Sequence, residues 1–157
     1  MASSKGFSLI ELMITISILA IVVFIGVPGF QNMLGASRES ASRESLFSAL
    51  QLARGEAVTR GTQVTVCQRN AGATACDNDS SWGQGWMVVT AGGEVLQAWD
   101  PLNGGAALAV AGGADSVVYQ PDGGIQGVAR TFTLSVNGND ACFRLGLTGS
   151  MSSVGCP

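Results

Sequence analysis

Glu11 is the residue whose position most clearly suggests chemistry. Between Phe7 and Ser37 it is the only formally charged side chain, and most of the other residues are apolar. About 20 such residues cross a bilayer as a helix, so the segment predicts a transmembrane span. A carboxylate inside the bilayer costs roughly 3 kcal/mol and normally has a partner or a function. The span contains no Lys, Arg or His that could be this partner.

A cation for Glu11 becomes available if the chain is cut between Gly6 and Phe7. Residues 1–6 form a short hydrophilic leader that includes Lys5. In a secretory signal peptide the apolar run precedes the cleavage site, whereas here it follows the cut and would stay attached. Cleavage would give Phe7 a free α-amine, which is positively charged at neutral pH. This amine is the counterion that the span otherwise lacks.

The segment KGFSLIEL and the apolar helix after it resemble the class III signal of type IV pilins and type II secretion pseudopilins. The resemblance implies that a membrane prepilin peptidase cuts after Gly6 and N-methylates Phe7. It also implies that Glu11 pairs with the N-terminal amine of a neighbouring subunit as a filament assembles. The alternative is that Glu11 lies at the level of the cytoplasmic headgroups, where it needs no partner.

Four cysteines lie beyond the span, at Cys67, Cys76, Cys142 and Cys156. An even number in an exported, glycine-rich domain indicates two disulfides, with three connectivities open. We favour Cys67 with Cys76 and Cys142 with Cys156, because each pair is near in sequence and closes a local loop. A zinc site is the alternative, but the spacings are not CxxC and the chain has no histidine.

The sequence lacks the parts of common active sites. Without histidine, a Ser-His-Asp or Cys-His arrangement cannot form, and no P-loop, nucleotide-binding glycine pattern or metal-ligand cluster is present. We therefore expect no enzyme activity, no cofactor and no metal. The segment DNDSS at 77–81 has oxygen ligands for calcium but lacks the rest of an EF-hand loop, so a solvated turn is favoured. For Trp82 and Trp86, a packed core is favoured over an exposed contact patch.

The elements that position these residues begin with one long helix. We expect a transmembrane helix over 7–34 and an amphipathic continuation over 35–60 that ends before Gly61. The continuation has one apolar face, because small or apolar residues recur every three or four positions, namely Leu46, Leu50, Ala53 and Ala57. Pro28 removes a backbone donor and crowds the preceding turn, which predicts a kink or a local break.

Residues 61–157 read as a β domain. The 22 glycines of the chain favour a turn-rich architecture. Alternating or β-branched segments predict strands at TQVTVC, GWMVVT, EVLQAW, SVVYQ, RTFTLSV and ACFRLGL. Two hairpins are expected, one around residues 91–93 and one around NGND at 137–140. The stretch of glycine and alanine from Gly104 to Ala114 predicts a mobile loop with room for one weak strand.

This half resembles the GspH/FimT family of minor pilins and pseudopilins in four segments, LQLARGEAVTRG, WGQGWMVV, VVYQPDGG and CFRLGLTGS. The resemblance implies an α+β fold in which the long N-terminal transmembrane and amphipathic α-helix packs on a C-terminal antiparallel β domain. It implies a minor pilin whose complex primes or caps a type IV pilus. The alternative is the corresponding minor pseudopilin of type II secretion.

The resemblance also implies the partners and the location. The partners are other minor and major pilins or pseudopilins, the prepilin peptidase and the inner-membrane assembly platform. Lys5 before the span favours a cytoplasmic N-terminus by the positive-inside tendency. We therefore expect a single-pass protein of the bacterial inner membrane with its β domain in the periplasm, from where it enters the pilus or pseudopilus.

DNA capture is the alternative of a different class, since some FimT proteins bind DNA. Phosphate binding depends on clustered Lys and Arg. From Gly61 onward the chain has three arginines and seven acidic residues, a charge of 3 − 7 = −4. DNA-binding relatives carry an arginine-bearing GRxR motif near the C-terminus, where this chain has Gly149, Ser150, Met151 and Ser152. The sequence therefore disfavours nucleic acid as a partner.

Overall fold

The computed structural model describes residues 7–77 and 81–156. Gly6 lies outside the described residues, and so does the middle of the DNDSS segment, on which the calcium alternative depended. The chain divides into two compact units, one ending at Ala36 and the other beginning at Ser37.

A single helix, α1, runs from Leu9 to Arg60. It ends as expected before Gly61, whose φ of +64° is the left-handed conformation that favours glycine after a helix. The backbone stays helical through residues 27–29. Of the two outcomes predicted for Pro28, the local break is therefore absent, and the kink stays a prediction.

The first unit contains a helical segment that could span a membrane, Leu9–Gly26, with a mean hydropathy of 2.7. None of this segment is buried. Its hydroxyl groups are satisfied within the helix, since Thr15 Oγ1 donates to the Leu12 carbonyl and Ser17 Oγ to the Met13 carbonyl, both at 2.8 Å. Such internal bonds remove the cost of placing a hydroxyl in hydrocarbon.

The second unit contains eight strands in two antiparallel sheets. The strands are β1 (Val64–Gln68), β2 (Trp86–Thr90), β3 (Val95–Ala98), β4 (Ala106–Val110), β5 (Ser116–Tyr119), β6 (Arg130–Val136), β7 (Asn139–Leu145) and β8 (Met151–Val154). One sheet has the order β3-β2-β1-β5 and the other β4-β6-β7-β8. The fold class is as predicted, α+β, with a long N-terminal helix followed by antiparallel β-sheets.

The core of this unit forms between the amphipathic part of α1 and both sheets. The buried helix face is the predicted one with Ala49 added, and its members are Leu46, Ala49, Leu50, Ala53 and Ala57. Trp82 and Trp86 are buried as favoured, and the Trp82 ring meets Phe132 edge-on at 6.0 Å between centroids. A stripe of alanines lets the helix approach the sheets closely, and the large aromatic residues fill the remaining space.

The strand predictions differ from the structure in three places. The second hairpin turns on two residues, Asn137 and Gly138, with φ of 51° and 80°, so β7 begins at Asn139 instead of Ala141. An Asn-Gly pair adopts the positive φ values that a tight hairpin needs. The stretch from Gly104 to Ala114, predicted as a mobile loop with room for one weak strand, contains β4, and this strand pairs along its whole length with β6. Strand β8 was not predicted, because its short serine-rich sequence has no apolar alternation.

Two turns meet beside Arg54 and depend on glycine. Gly149 has a φ of +74°, and a Cβ there would overlap the carbonyl oxygen of Gly123. Gly123 has a φ of +81°, and its own Cβ would lie 3.2 Å from Arg54 Nε. The close approach of the two turns therefore places the chain before β8 against the end of β5, near the buried Tyr119 ring.

Candidate assembly site

Glu11 lies in the first turn of α1 with its side chain exposed. Within residues 7–77 and 81–156 its carboxylate makes no hydrogen bond and no ion pair. Thr15, four residues further on, lies on the same helix face, but its hydroxyl is already used by the Leu12 carbonyl. The carboxylate is therefore available to a group from another molecule.

Phe7 precedes the first helical residue by two positions, and its side chain is 80% exposed. An α-amine at Phe7 would stand at the very start of the helix. Gly6, on the other side of the predicted cut, lies outside the described residues. Cleavage, methylation and the pairing role of Glu11 therefore stay predictions.

The apolar surface around Glu11 is the second part of the site. Large side chains such as Ile14, Leu19 and Phe24 are more than half exposed in the isolated chain. A continuous apolar surface of this kind is covered in nature by lipid or by other helices. A helix that presents one unpaired carboxylate on such a surface can associate with a second helix that supplies a cation.

The cysteines form the two disulfides favoured from the sequence, Cys67–Cys76 and Cys142–Cys156. Their Cα atoms are 5.6 and 5.2 Å apart, within the usual range for disulfides. The first holds the segment after β1 against the strand. The second ties the chain after β8 back to β7, which fixes an otherwise short edge strand.

Metal-binding chemistry has no support in the part of the chain that the structure describes, where no three of the side chains of His, Cys, Asp and Glu gather closely enough to hold an ion. Arg60 pairs with Glu56 and with Glu94, and Arg69 lies 3.6 Å from Asp100. Each of these pairs has at least one exposed partner and contributes little stability. The carboxylates of these pairs neutralise part of the positive charge of the arginines.

Among the described residues, two surface grooves lie between the β domain and α1. The smaller, of about 230 Å³, lies beside Phe47, Phe143 and Met151. The larger, of about 370 Å³, is called the Trp86 groove here, and it is lined by Arg38, Ala41, Ser42, Ser45, Trp86 and residues 99–103. Sequence reasoning missed this groove. The spacing of Arg38, Ser42 and Ser45 was visible, but the opposing loop 99–103 lies about 60 residues away and its position depends on the fold.

The exposed apolar helix with one carboxylate, followed by a disulfide-bonded antiparallel β domain, defines a membrane-anchored subunit of the pilin class. The prokaryotic N-terminal methylation motif matches residues 1–27. The family described as type II transport protein GspH matches residues 42–150, and the chain belongs to that family. The predicted resemblance to minor pilins and pseudopilins is thereby confirmed.

Solved structures of two such proteins share the fold. The type IV minor pilin FimU of Pseudomonas aeruginosa has a TM-score of 0.63 and 19% identity, covering 76% of this chain and 90% of FimU. The minor pseudopilin EpsH of the Vibrio cholerae type 2 secretion system has a TM-score of 0.52 and 15% identity, covering 74% of this chain and 96% of EpsH. The family and these neighbours are structural subunits rather than enzymes.

Proposed function

We propose that this chain is a minor pilin, a structural subunit that joins a complex of minor pilins and primes or caps a type IV pilus. The observation that carries the proposal is Glu11, an exposed carboxylate on an apolar helix with no partner among the described residues. In this role the helix anchors the subunit in the inner membrane, and the β domain lies in the periplasm until assembly.

Processing creates the second half of the contact. Prepilin peptidase cuts between Gly6 and Phe7 and methylates the new amine, which remains a cation. The Glu11 carboxylate then meets the amine of a neighbouring pilin. Opposite charges attract far more strongly in hydrocarbon than in water, and the pair also ends the cost of an isolated buried charge. The assembly platform would extract the subunit once this contact forms.

A minor pseudopilin of type II secretion is the second candidate, favoured by the description of the matched family. The same helix and the same Glu11 contact would serve either machine. The two disulfides fit either machine, because the periplasm and the medium outside the cell are both oxidising.

Mass spectrometry of the protein extracted from its native membrane tests the processing step. We expect a chain that begins at Phe7 and carries one added methyl group. Gly6→Leu should leave the precursor uncut and unassembled, because the bulky side chain occupies the peptidase site next to the cleaved bond. A mature chain that begins elsewhere would refute the proposal.

Deletion of the gene distinguishes the two machines. A minor pilin predicts loss of surface pili with normal protein secretion, restored by the wild-type chain. Loss of secretion with normal pili would instead establish the pseudopilin. A gel-shift titration across salt concentrations addresses DNA capture, and we expect no retardation, since the β domain carries net negative charge.

A further inference from the structure

We propose that the open edge of β8 binds an extended segment of another pilin or pseudopilin subunit, which adds a strand to the sheet. One large apolar side chain of this segment enters the groove between β8 and α1, called the β8 groove below. It is lined by Arg43, Glu44 and Phe47 of α1, Phe143 of β7 and residues 151–153 of β8. The inference rests on the proposed function, because it assumes that the chain joins such an assembly. It adds a contact at the β domain, separate from that of Glu11 in the span.

The backbone of β8 has hydrogen-bonding groups that its own sheet does not use. β8 is the last strand of its sheet, with β7 as its neighbour. In an antiparallel ladder, hydrogen-bonded and non-bonded residue pairs alternate. The Ser150 carbonyl accepts from the Gly146 N–H at 2.8 Å, so Ser152 is the next bonded residue. The N–H and C=O groups of Met151 and Ser153 therefore point away from β7, and among the described residues no backbone group outside the ladder bonds to them.

The other sheet edges differ from β8. The edge of β5 is covered, since the Gln126 N–H donates to the Val118 carbonyl at 2.8 Å. β3 and β4 are edges too, but neither contributes a residue to the two grooves described above. β8 carries no charged residue and no proline, which are the residues that commonly block an edge. The Cys142–Cys156 disulfide holds its end, so the edge is preformed.

The apolar floor of the β8 groove lies beside this edge. Met151 stands opposite Leu145 in the ladder, and Ser153 stands one pair further on, opposite Phe143. Leu145 and Phe143 are buried, and directly opposite side chains share a face of the sheet. The side chains of Met151 and Ser153 therefore lie on the core face. Phe47, half-buried on α1, forms the facing wall, and the volume of about 230 Å³ admits one large apolar side chain.

An extended backbone with one apolar side chain is the occupant that matches both features. Unpaired N–H and C=O groups along an edge pair with another extended backbone, whereas the backbone groups of a helix are already used internally. Domains that bind peptides as an added strand use backbone bonds for affinity and pockets for alternate side chains for specificity. Arg43 and Glu44 on the helix wall carry opposite charges, so the groove favours a neutral side chain. In a complex of minor pilins, the neighbouring subunit supplies this strand.

NMR of the full-length chain in detergent micelles tests the proposal through the amide N–H signals of β8. The probe is the blocked peptide acetyl-Thr-Thr-Leu-Thr-Thr-amide, titrated to about 10 mM, in which threonine favours an extended backbone. We expect it to shift the amide signals of Met151 and Ser153 saturably. Their hydrogen exchange should slow about tenfold at about 90% occupancy, because both N–H groups gain acceptors. The Ser152 amide is the internal control, since its N–H is already bonded to β7.

Matched peptides separate the side chain from the backbone. The peptide with Ala in place of Leu should bind about tenfold more weakly, because most of the apolar area that enters the groove is lost. A residue whose side chain enters the groove lies opposite Met151 or Ser153 and exchanges hydrogen bonds with it. N-methylation of the leucine should therefore weaken binding about tenfold or more. N-methylation of the next threonine should have little effect, because that N–H points away from β8.

Two variants at one position tie the effect to the edge. Ser153→Pro removes an N–H that takes no part in the β7–β8 ladder, and edge strands accept proline at such positions. It should weaken binding of the leucine peptide about tenfold. Ser153→Ala keeps the N–H and should bind the peptide like the wild type. The N-methylated peptides need no change of the chain, so they decide the question if Ser153→Pro disturbs the ladder.

Several results would overturn the proposal. They are equal binding of the leucine and alanine peptides, equal binding of the two N-methylated peptides, and unchanged exchange at Met151 and Ser153. If exchange at these residues slowed with rising protein concentration in the absence of peptide, the edge would belong to a second copy of this chain, and the assignment to another subunit would be wrong.

The failure of this inference can be separated from failure of the proposed function. Peptide binding requires neither processing nor assembly, so its absence would reject the added strand even if the subunit still co-purifies with pilins. If instead the wild-type chain binds the peptide but never associates with pilins in its native membrane, the strand-binding edge stands and the minor-pilin proposal falls.

Discussion

The span and the β domain differ in where their side chains find partners. None of the segment Leu9–Gly26 is buried, and its apolar side chains point outward on every face. In the β domain, large residues such as Trp82, Tyr119 and Phe132 are fully buried, and both sheets contribute to one core. The first region is completed only by lipid and by other helices, whereas the second is almost complete alone.

The difference teaches where the function resides. Within the β domain, burial and disulfides account for most side chains, so a substitution there acts mainly on stability. Within the span, stability of the isolated helix is not at stake, because every backbone bond is internal. In the span, a charged group with no partner among the described residues is therefore where we expect a contact with another molecule, and Glu11 is such a group.

The largest effect is expected for Glu11→Gln. The substitution keeps the size and hydrogen-bonding capacity of the side chain but removes the charge that attracts an amine. Membrane insertion should be unchanged or easier, because a neutral side chain costs less in the bilayer. Cross-linking of full-length subunits in native membranes should show loss of association with partner pilins.

Ser17→Ala is the matched control in the same helix. The Ser17 hydroxyl is satisfied by the Met13 carbonyl, so its removal should leave association intact. Equal yields for wild type and Glu11→Gln would place Glu11 at the headgroup level, where it needs no partner.

The next largest effect is expected for the disulfide that holds β8. Replacing both Cys142 and Cys156 by Ser should lower the free energy of unfolding by about 3 kcal/mol, since a loop of about 15 residues is no longer closed. Denaturant titration of the full chain measures this loss. Non-reducing peptide mapping should first show the pairs Cys67–Cys76 and Cys142–Cys156, and crossed pairs or free thiols would contradict the structure.

Much of this architecture followed from the sequence. The helix face of Leu46, Leu50 and Ala53 was predictable because helical periodicity is local. The turn at Asn137 and Gly138 carried its own signal, but a wider loop was predicted because Asn139 and Asp140 are also typical of turns.

Strand β8 and the Trp86 groove could not be predicted for the same physical reason. The pairing of Ser152 with Arg144 and the position of loop 99–103 opposite Arg38 are contacts between distant parts of the chain. Neither segment has a pattern of its own that would indicate its partner. Glu11 was found because a lone charge in an apolar run is visible without any tertiary contact.

A smaller effect is expected for alanine substitutions at two glycines. A comparison of Gly93 with Gly149 separates the cost of backbone strain from the cost of steric overlap. Gly93 has a φ of +83°, and a Cβ placed there would meet no atom of a non-adjacent residue within 4 Å. Gly93→Ala therefore tests the backbone strain alone, about 1 kcal/mol. Gly149 has a similar φ, but a Cβ there overlaps the Gly123 carbonyl. Gly149→Ala should therefore cost about 2 kcal/mol more than Gly93→Ala. Equal costs by denaturant titration would mean that the two turns can separate freely.

The smallest effect at neutral pH is expected for Tyr119→Phe. This substitution removes the buried hydroxyl of Tyr119, the single tyrosine of the chain. The hydroxyl has no partner among the described residues, so its removal should change the free energy of unfolding by less than about 1 kcal/mol at pH 7.

Burial raises the pKa of Tyr119, and the smaller effect of nearby Arg54 opposes it. Above pH of about 10 the unfolded chain therefore loses the phenol proton while the folded chain keeps it. Wild-type stability should then fall with rising pH by up to about 1.4 kcal/mol per unit, and Tyr119→Phe should lack this component. Urea titrations of wild type and Tyr119→Phe across this pH range measure the free energy of unfolding, and tyrosinate absorbance reports the ionisation directly. If the free energy of unfolding fell with pH equally steeply in both chains, the burial of the hydroxyl would be contradicted.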